Sequence, residues 1–159
     1  MSGITPEGGL APTPSQTVGP FFGFALPWPH GNEAVAPDTP GPFQIYGRVT
    51  DGGGDGIPDA MIETWQADPD GRFNHPDDPR GAVAPPDGFR GFARSSSDVQ
   101  GNWSVWTVKP GAIPGQDGTQ APHIAVTILS RGLLQRLVTR IYFPEDADAF
   151  ASDPVLSGL

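Results

Sequence analysis

Phe43-Gln-Ile-Tyr-Gly-Arg-Val-Thr50 alternates, with Phe43, Ile45, Gly47 and Val49 on one face. That is the period of two expected of a half-buried β-strand. The stretch runs into Asp51-Gly-Gly-Gly-Asp-Gly56, a dense turn signal. Ala60-Met-Ile-Glu-Thr-Trp-Gln-Ala67 then reads as a second strand and stops at Asp68-Pro-Asp-Gly71.

Outward from this pair the pattern repeats. Residues 68–91 are rich in Pro, Gly and Asp and read as a long loop of the functional kind, since structureless stretches of that length are otherwise uncommon. Phe89–Ser97, Trp103–Lys109, His123–Ser130 and Gln135–Phe143 read as further strands, separated by Asp98-Val-Gln-Gly101, Pro110-Gly111 and Gly132. The tail from Glu145 reads as a single helical turn. Residues 1–42 show neither period and read as an extended arm, leaving 43–159 as the folded domain. Short strands, turn punctuation and the lack of a long helical pattern predict an all-β fold: an antiparallel β-sandwich with long Pro/Gly-rich loops.

Composition agrees. A chain of 159 residues suits one domain. Gly 22 and Pro 20 approach the range of disordered chains, but 36% hydrophobic residues, four Trp and nine Phe supply a core. With no cysteine, disulfides, zinc–thiolate sites and thiol nucleophiles are excluded. The start, Met1-Ser-Gly-Ile-Thr-Pro-Glu7, has no basic region or apolar run of a secretory signal, and no stretch has the length of a membrane helix. A net charge of −9 argues against binding nucleic acid. A cytoplasmic location is expected.

Three ordered stretches carry a family resemblance. Gly47-Arg-Val-Thr-Asp51 leads to Pro58-Asp-Ala-Met-Ile-Glu-Thr-Trp-Gln-Ala-Asp-Pro-Asp-Gly-Arg-Phe-Asn-His-Pro76; Thr107-Val-Lys-Pro-Gly111 follows; Ala121-Pro-His-Ile124 opens a β run ending at Arg140-Ile-Tyr-Phe143. Together with the arm Thr13-Pro-Ser-Gln-Thr-Val-Gly-Pro-Phe21, they resemble the intradiol ring-cleavage dioxygenases over most of residues 13–156. Catalytic chains of that family hold Fe(III) with two tyrosinates and two histidines. A hard, highly charged ion prefers anionic oxygen and deprotonates a phenol whose free pKa is about 10. Its H-x-H pair shares one strand face, roughly 6.6 Å apart.

This chain departs at three of the four positions. The tyrosines are replaced by Phe73 and Ile113, and the histidine pair reads His123-Ile124-Ala125. The arginine that precedes the histidines in catalytic chains, where it stabilises the deprotonated substrate, aligns with Gln120. The resemblance therefore implies a chain that binds no metal, has no catalytic residue of its own and is inactive alone. Fe(III) would lie in a homologous catalytic β subunit, and several αβ units would assemble into a higher oligomer. Position by position, the role of walling the partner's pocket falls on Thr17, Gly19, Pro20 and Arg131, with Arg131 suited to meet a benzoate carboxylate bidentately. The reaction implied is insertion of both atoms of O2 between the hydroxyl-bearing carbons of protocatechuate, giving 3-carboxy-cis,cis-muconate. Family α chains run on past Asp153-Pro-Val-Leu156, so the resemblance also implies a sandwich lacking its C-terminal strands at Leu159.

The alternative from another class is a stand-alone β-sandwich binding module without activity. A third reading, an enzyme rebuilt around His75 and Asp77, has little to position it, and Asp77-Asp78 as an acid–base pair has no more. Asp51, Asp55 and Asp59 read as turn formers rather than a calcium loop. Ser95 lacks the context of a nucleophile. Tyr46 and Tyr142, the only tyrosines, read as packing residues with bonded hydroxyls.

Overall fold

The computed structural model describes residues 13–78, 80–82, 84–86, 88–115 and 117–159. The first twelve residues of the expected arm lie outside them. Strand β1 (Phe43–Arg48) alternates between half-buried and exposed positions, as its sequence predicts, and pairs antiparallel with β4 (Asn102–Thr107) in the register Ile45 opposite Val105. The second sheet has four antiparallel strands in the order β3-β2-β7-β8: β3 (Phe92–Ser96), β2 (Met61–Trp65), β7 (His123–Leu129) and β8 (Leu137–Tyr142). A small hairpin, β5 (Ile113–Gly115) with β6 (Gly118–Gln120), stands apart. Two four-residue helices, α1 (Phe22–Ala25) and α2 (Ala147–Phe150), complete the elements named here. The observed architecture is antiparallel and sheet-rich, as expected.

Alternation decides which side chains enter the core. Ile62 of β2 and Val126 of β7 pack with Ala60, while Ala93 of β3 and Val105 of β4 pack with Ala34. Trp103 of β4 touches both clusters and joins the two sheets. Fully burying a side chain such as Ile62 is worth about 2 kcal/mol.

The sequence left residues up to 42 unpacked, and the structure differs there. Ala34 and Val35 are fully buried, and Ala34 N–H donates to the Trp106 carbonyl at 2.8 Å. The segment bridges β4 and residue 89 through its backbone (Glu33 with Trp106, Val35 with Phe89), and Arg94 on β3 holds the chain just before it. Its guanidinium lies 4.9 Å from the Trp28 ring centroid, contacts Glu63 and donates to the Leu26 carbonyl at 2.9 Å. Tyr46 also differs: it is 80% exposed on the outer face of β1 rather than packed. No helix among the described residues is long and apolar enough to cross a membrane.

Candidate functional site

Two clefts carry the residues singled out in the sequence. The first forms where the loop after β2 meets the loop after β4. Asp68 Oδ1 accepts the N–H of Asp70 and Arg72, at 3.0 and 2.8 Å, and curls the first loop. Buried Asp78 accepts the N–H of Phe73 at 3.0 Å and of Arg80 at 2.9 Å. The Arg80 side chain, then these backbone N–H groups, hold the Asp78 carboxyl well below the usual carboxylate range. Asp78 is thus positioned, but by structural bonds, whereas Asp77 is solvent-exposed.

The second loop is pressed against the first. Gly111 N–H donates to the Asp68 carbonyl at 2.9 Å. A Cβ on Gly111 would lie 2.4 Å from the Pro69 carbonyl oxygen. Gly71 adopts φ +73, and a Cβ there would lie 2.0 Å from the Ala112 carbonyl oxygen. Only glycine suits both positions. Gln66 anchors the floor by donating to the Val108 carbonyl at 2.8 Å and accepting from Thr107 Oγ1.

Phe73 and Ile113 thereby line one cleft of about 450 Å³, with Trp65, Pro114 and His75. Phe73 stacks on Trp65 at 5.8 Å. Ala125 is the cross-strand partner of Trp65 on β2 and of Arg140 on β8, which puts these three on one sheet face. His123 lies two residues before Ala125, hence on that same face. Its Nδ1–H donates to the Ala121 carbonyl at 2.8 Å, and burial pushes its pKa down, favouring the neutral ring. Gln120 Oε1 accepts from Arg140 Nη1 at 3.0 Å, and Tyr142 Oη lies 3.3 Å from the same nitrogen. The strand is anchored from the tail: Asp153 accepts Ala121 N–H at 2.8 Å. Burial raises the Asp153 pKa, but the N–H groups of Leu156, Ala121 and Val155 outweigh it and the net shift is downward.

This side-chain set does not fit ferric iron. Phe73, Ile113 and Ala125 offer no donor atom, and among the described residues no three His, Cys, Asp or Glu side chains are grouped to hold a metal. A lone imidazole is not a ferric site.

The second cleft, about 380 Å³, lies between the arm and the turn after β7. Pro20 and Arg131 line it together with Phe24, Asp59 and Ser97. Thr17 Oγ1 accepts the N–H of Gly132 at 2.8 Å and ties the arm to that turn. Gly19 sits between them with nothing within 4 Å of a built Cβ. Arg131 Nε contacts the Asp59 carboxylate, and Ser130 Oγ donates to Asp59 Oδ1 at 3.3 Å. The sequence reading took Asp59 as a turn former and assigned no site role to Trp65 or Arg140. Their partners are distant in sequence, and only strand register reveals the contact of Arg140 with the Ala125 position.

A family model described as "Dioxygenase" matches residues 19–158. The chain belongs to the intradiol ring-cleavage dioxygenase family. Within it, the chain is 42% identical over 160 residues to the protocatechuate 3,4-dioxygenase alpha chain of Burkholderia cepacia, covering 93% of this chain and 78% of that one. It is also 36% identical over 117 residues to the beta chain from the same organism, covering 72% and 49%. Among solved structures, the dioxygenase domain of a dioxygenase carbohydrate-binding fusion from Streptomyces sp. SirexAA-E superposes with a TM-score of 0.61 at 27% identity, covering 92% and 86%.

Proposed function

We propose that this chain is the non-catalytic α subunit of a cytoplasmic protocatechuate 3,4-dioxygenase. It would complete the substrate pocket of a homologous, Fe(III)-bearing β subunit that converts protocatechuate and O2 to 3-carboxy-cis,cis-muconate. The observation that carries the reading is the contrast between the two clefts. In the first, Phe73 and Ile113, with Ala125 on the adjoining sheet face, offer no donor atom at the positions the resemblance assigns to iron ligands, while Thr17, Pro20 and Arg131 are held together at the other. The similarity to an α chain over nearly the whole length supports it.

The partner's iron supplies the activation of the bound catecholate. This chain's residues bind and orient. Asp59 engages Arg131 through Nε, and the two terminal nitrogens of that guanidinium donate no hydrogen bond among the described residues. They form the edge that can take a carboxylate. The Thr17–Gly132 bond fixes the arm, so that Gly19 and Pro20 form a wall without side-chain bulk at Gly19.

The test is purification of the complex from its native cell. A β chain should accompany this chain with iron near one per pair, and the iron should follow the β chain when the two are separated. Stoichiometric iron retained by this chain alone, with tyrosinate-to-iron colour, contradicts the reading.

A further inference from the structure

Charge is distributed unevenly along the chain. From Gly118 to Pro144 there are three arginines, Arg131, Arg136 and Arg140, and no Asp or Glu. The remainder holds all eighteen carboxylates against six basic side chains. The acid-free stretch folds as the β7–β8 hairpin, and β8 ends the four-stranded sheet. Leu137, 53% exposed, is on the core-facing side of β8 with Ile141; on the opposite side Leu134 is 63% exposed and Val138 66%. A groove of about 470 Å³ runs between these residues and the arm, with Val18 on one wall and Leu133, Leu134, Arg136 and Val138 on the other. Arg140 is bonded to Gln120 and Arg131 to Asp59, whereas Arg136 has no ion pair among the described residues.

We infer that this hairpin groove is the docking surface for the homologous β chain, which presents to it an acidic segment bearing apolar side chains. Clustered exposed aliphatic residues mark an interaction surface, and arginine is enriched in interfaces. Charge selects the occupant. A second copy meeting this surface by a two-fold axis would bring two acid-free, arginine-bearing hairpins together, and a head-to-tail copy would build a ring or an open chain of subunits. An acidic partner complements it and is steered to it. Continuity points the same way: the turn Ser130–Gly132 lines the groove on one side and carries Arg131 and the Thr17 anchor on the other. A partner whose pocket is walled by Arg131 must lie against this hairpin. The inference therefore rests on the proposed subunit role.

The experiment is dissociation of the co-purified complex on dilution, read by its mass distribution. Leu134→Asp with Arg136→Glu should raise the dissociation constant at least about 30-fold, the effect of losing an interface hot spot. Arg136→Glu alone should remove much of the salt dependence of association. Arg48→Glu, on β1, should change neither. Dissociation unaltered in the double variant, with salt dependence intact in the single one, overturns the docking surface. If Arg131→Ala still weakens substrate binding in that complex, the subunit reading survives that result. A wild-type chain that never associates with a β chain overturns both.

Discussion

The loops that bring Phe73 and Ile113 together are fixed by backbone, whereas the arm and turn that bring Thr17 and Arg131 together are fixed by side chains. In the first region Gly71 and Gly111 touch neighbouring carbonyls, and Asp68 and Asp78 accept four loop N–H groups. In the second, the Thr17 hydroxyl ties the arm to the turn after β7, and Arg131 and Ser130 tie that turn to Asp59. The comparison teaches that the loop frame stands on backbone contacts and does not depend on metal-binding side chains. Asp68, Gly71 and Gly111 fold the loops around Phe73 and Ile113 although neither of those two side chains offers a donor atom.

Glycine substitutions sharpen this contrast most. Gly71→Ala places a Cβ against a carbonyl in a left-handed conformation, and Gly111→Ala meets a similar obstacle. Each should cost about 3 kcal/mol in denaturant unfolding. Gly19→Ala meets nothing and should leave stability within about 0.5 kcal/mol, yet narrow the pocket of the complex and raise KM. Equal destabilisation at Gly19 and Gly71 would break the distinction.

Acid should affect the first region next. The folded-state pKa values of Asp78 and Asp153 lie below their ordinary values, so their stabilisation is present above about pH 4 and is lost as pH falls through the folded values. His123 is also shifted downward, by burial. Its neutral form is favoured in the fold, so stability should decline once pH drops below about 6.5. Thermal unfolding from pH 8 to pH 3 should therefore show two descending steps. His123→Gln should flatten the upper step and Asp78→Asn the lower. A profile unchanged by either variant would show that these groups do not set acid stability.

Much of the fold was legible because alternation, turn residues and strand order agreed at every stretch from Phe43 to Phe143. The positions that the resemblance assigns to iron ligands were legible because each falls within a continuous motif; Phe73 and Ile113 line one cleft. Packing of Ala34 and Val35 was not legible, since it goes with backbone bridges to Trp106 and Phe89, far along the chain, in a segment that shows no period. Nor was the contact between Arg131 and Asp59, where an aspartate that reads as a turn former is also a counter-ion.

The central claim is that this chain lends a positive charge to a pocket whose iron belongs to its partner. It is tested most directly by steady-state kinetics of the complex carrying Arg131→Ala, comparing protocatechuate with catechol. Loss of a charge-assisted hydrogen bond of roughly 1.5–3 kcal/mol should raise KM for protocatechuate about 10- to 100-fold and leave catechol almost unchanged. Equal effects on the two substrates would contradict the account and remove Arg131 from the pocket.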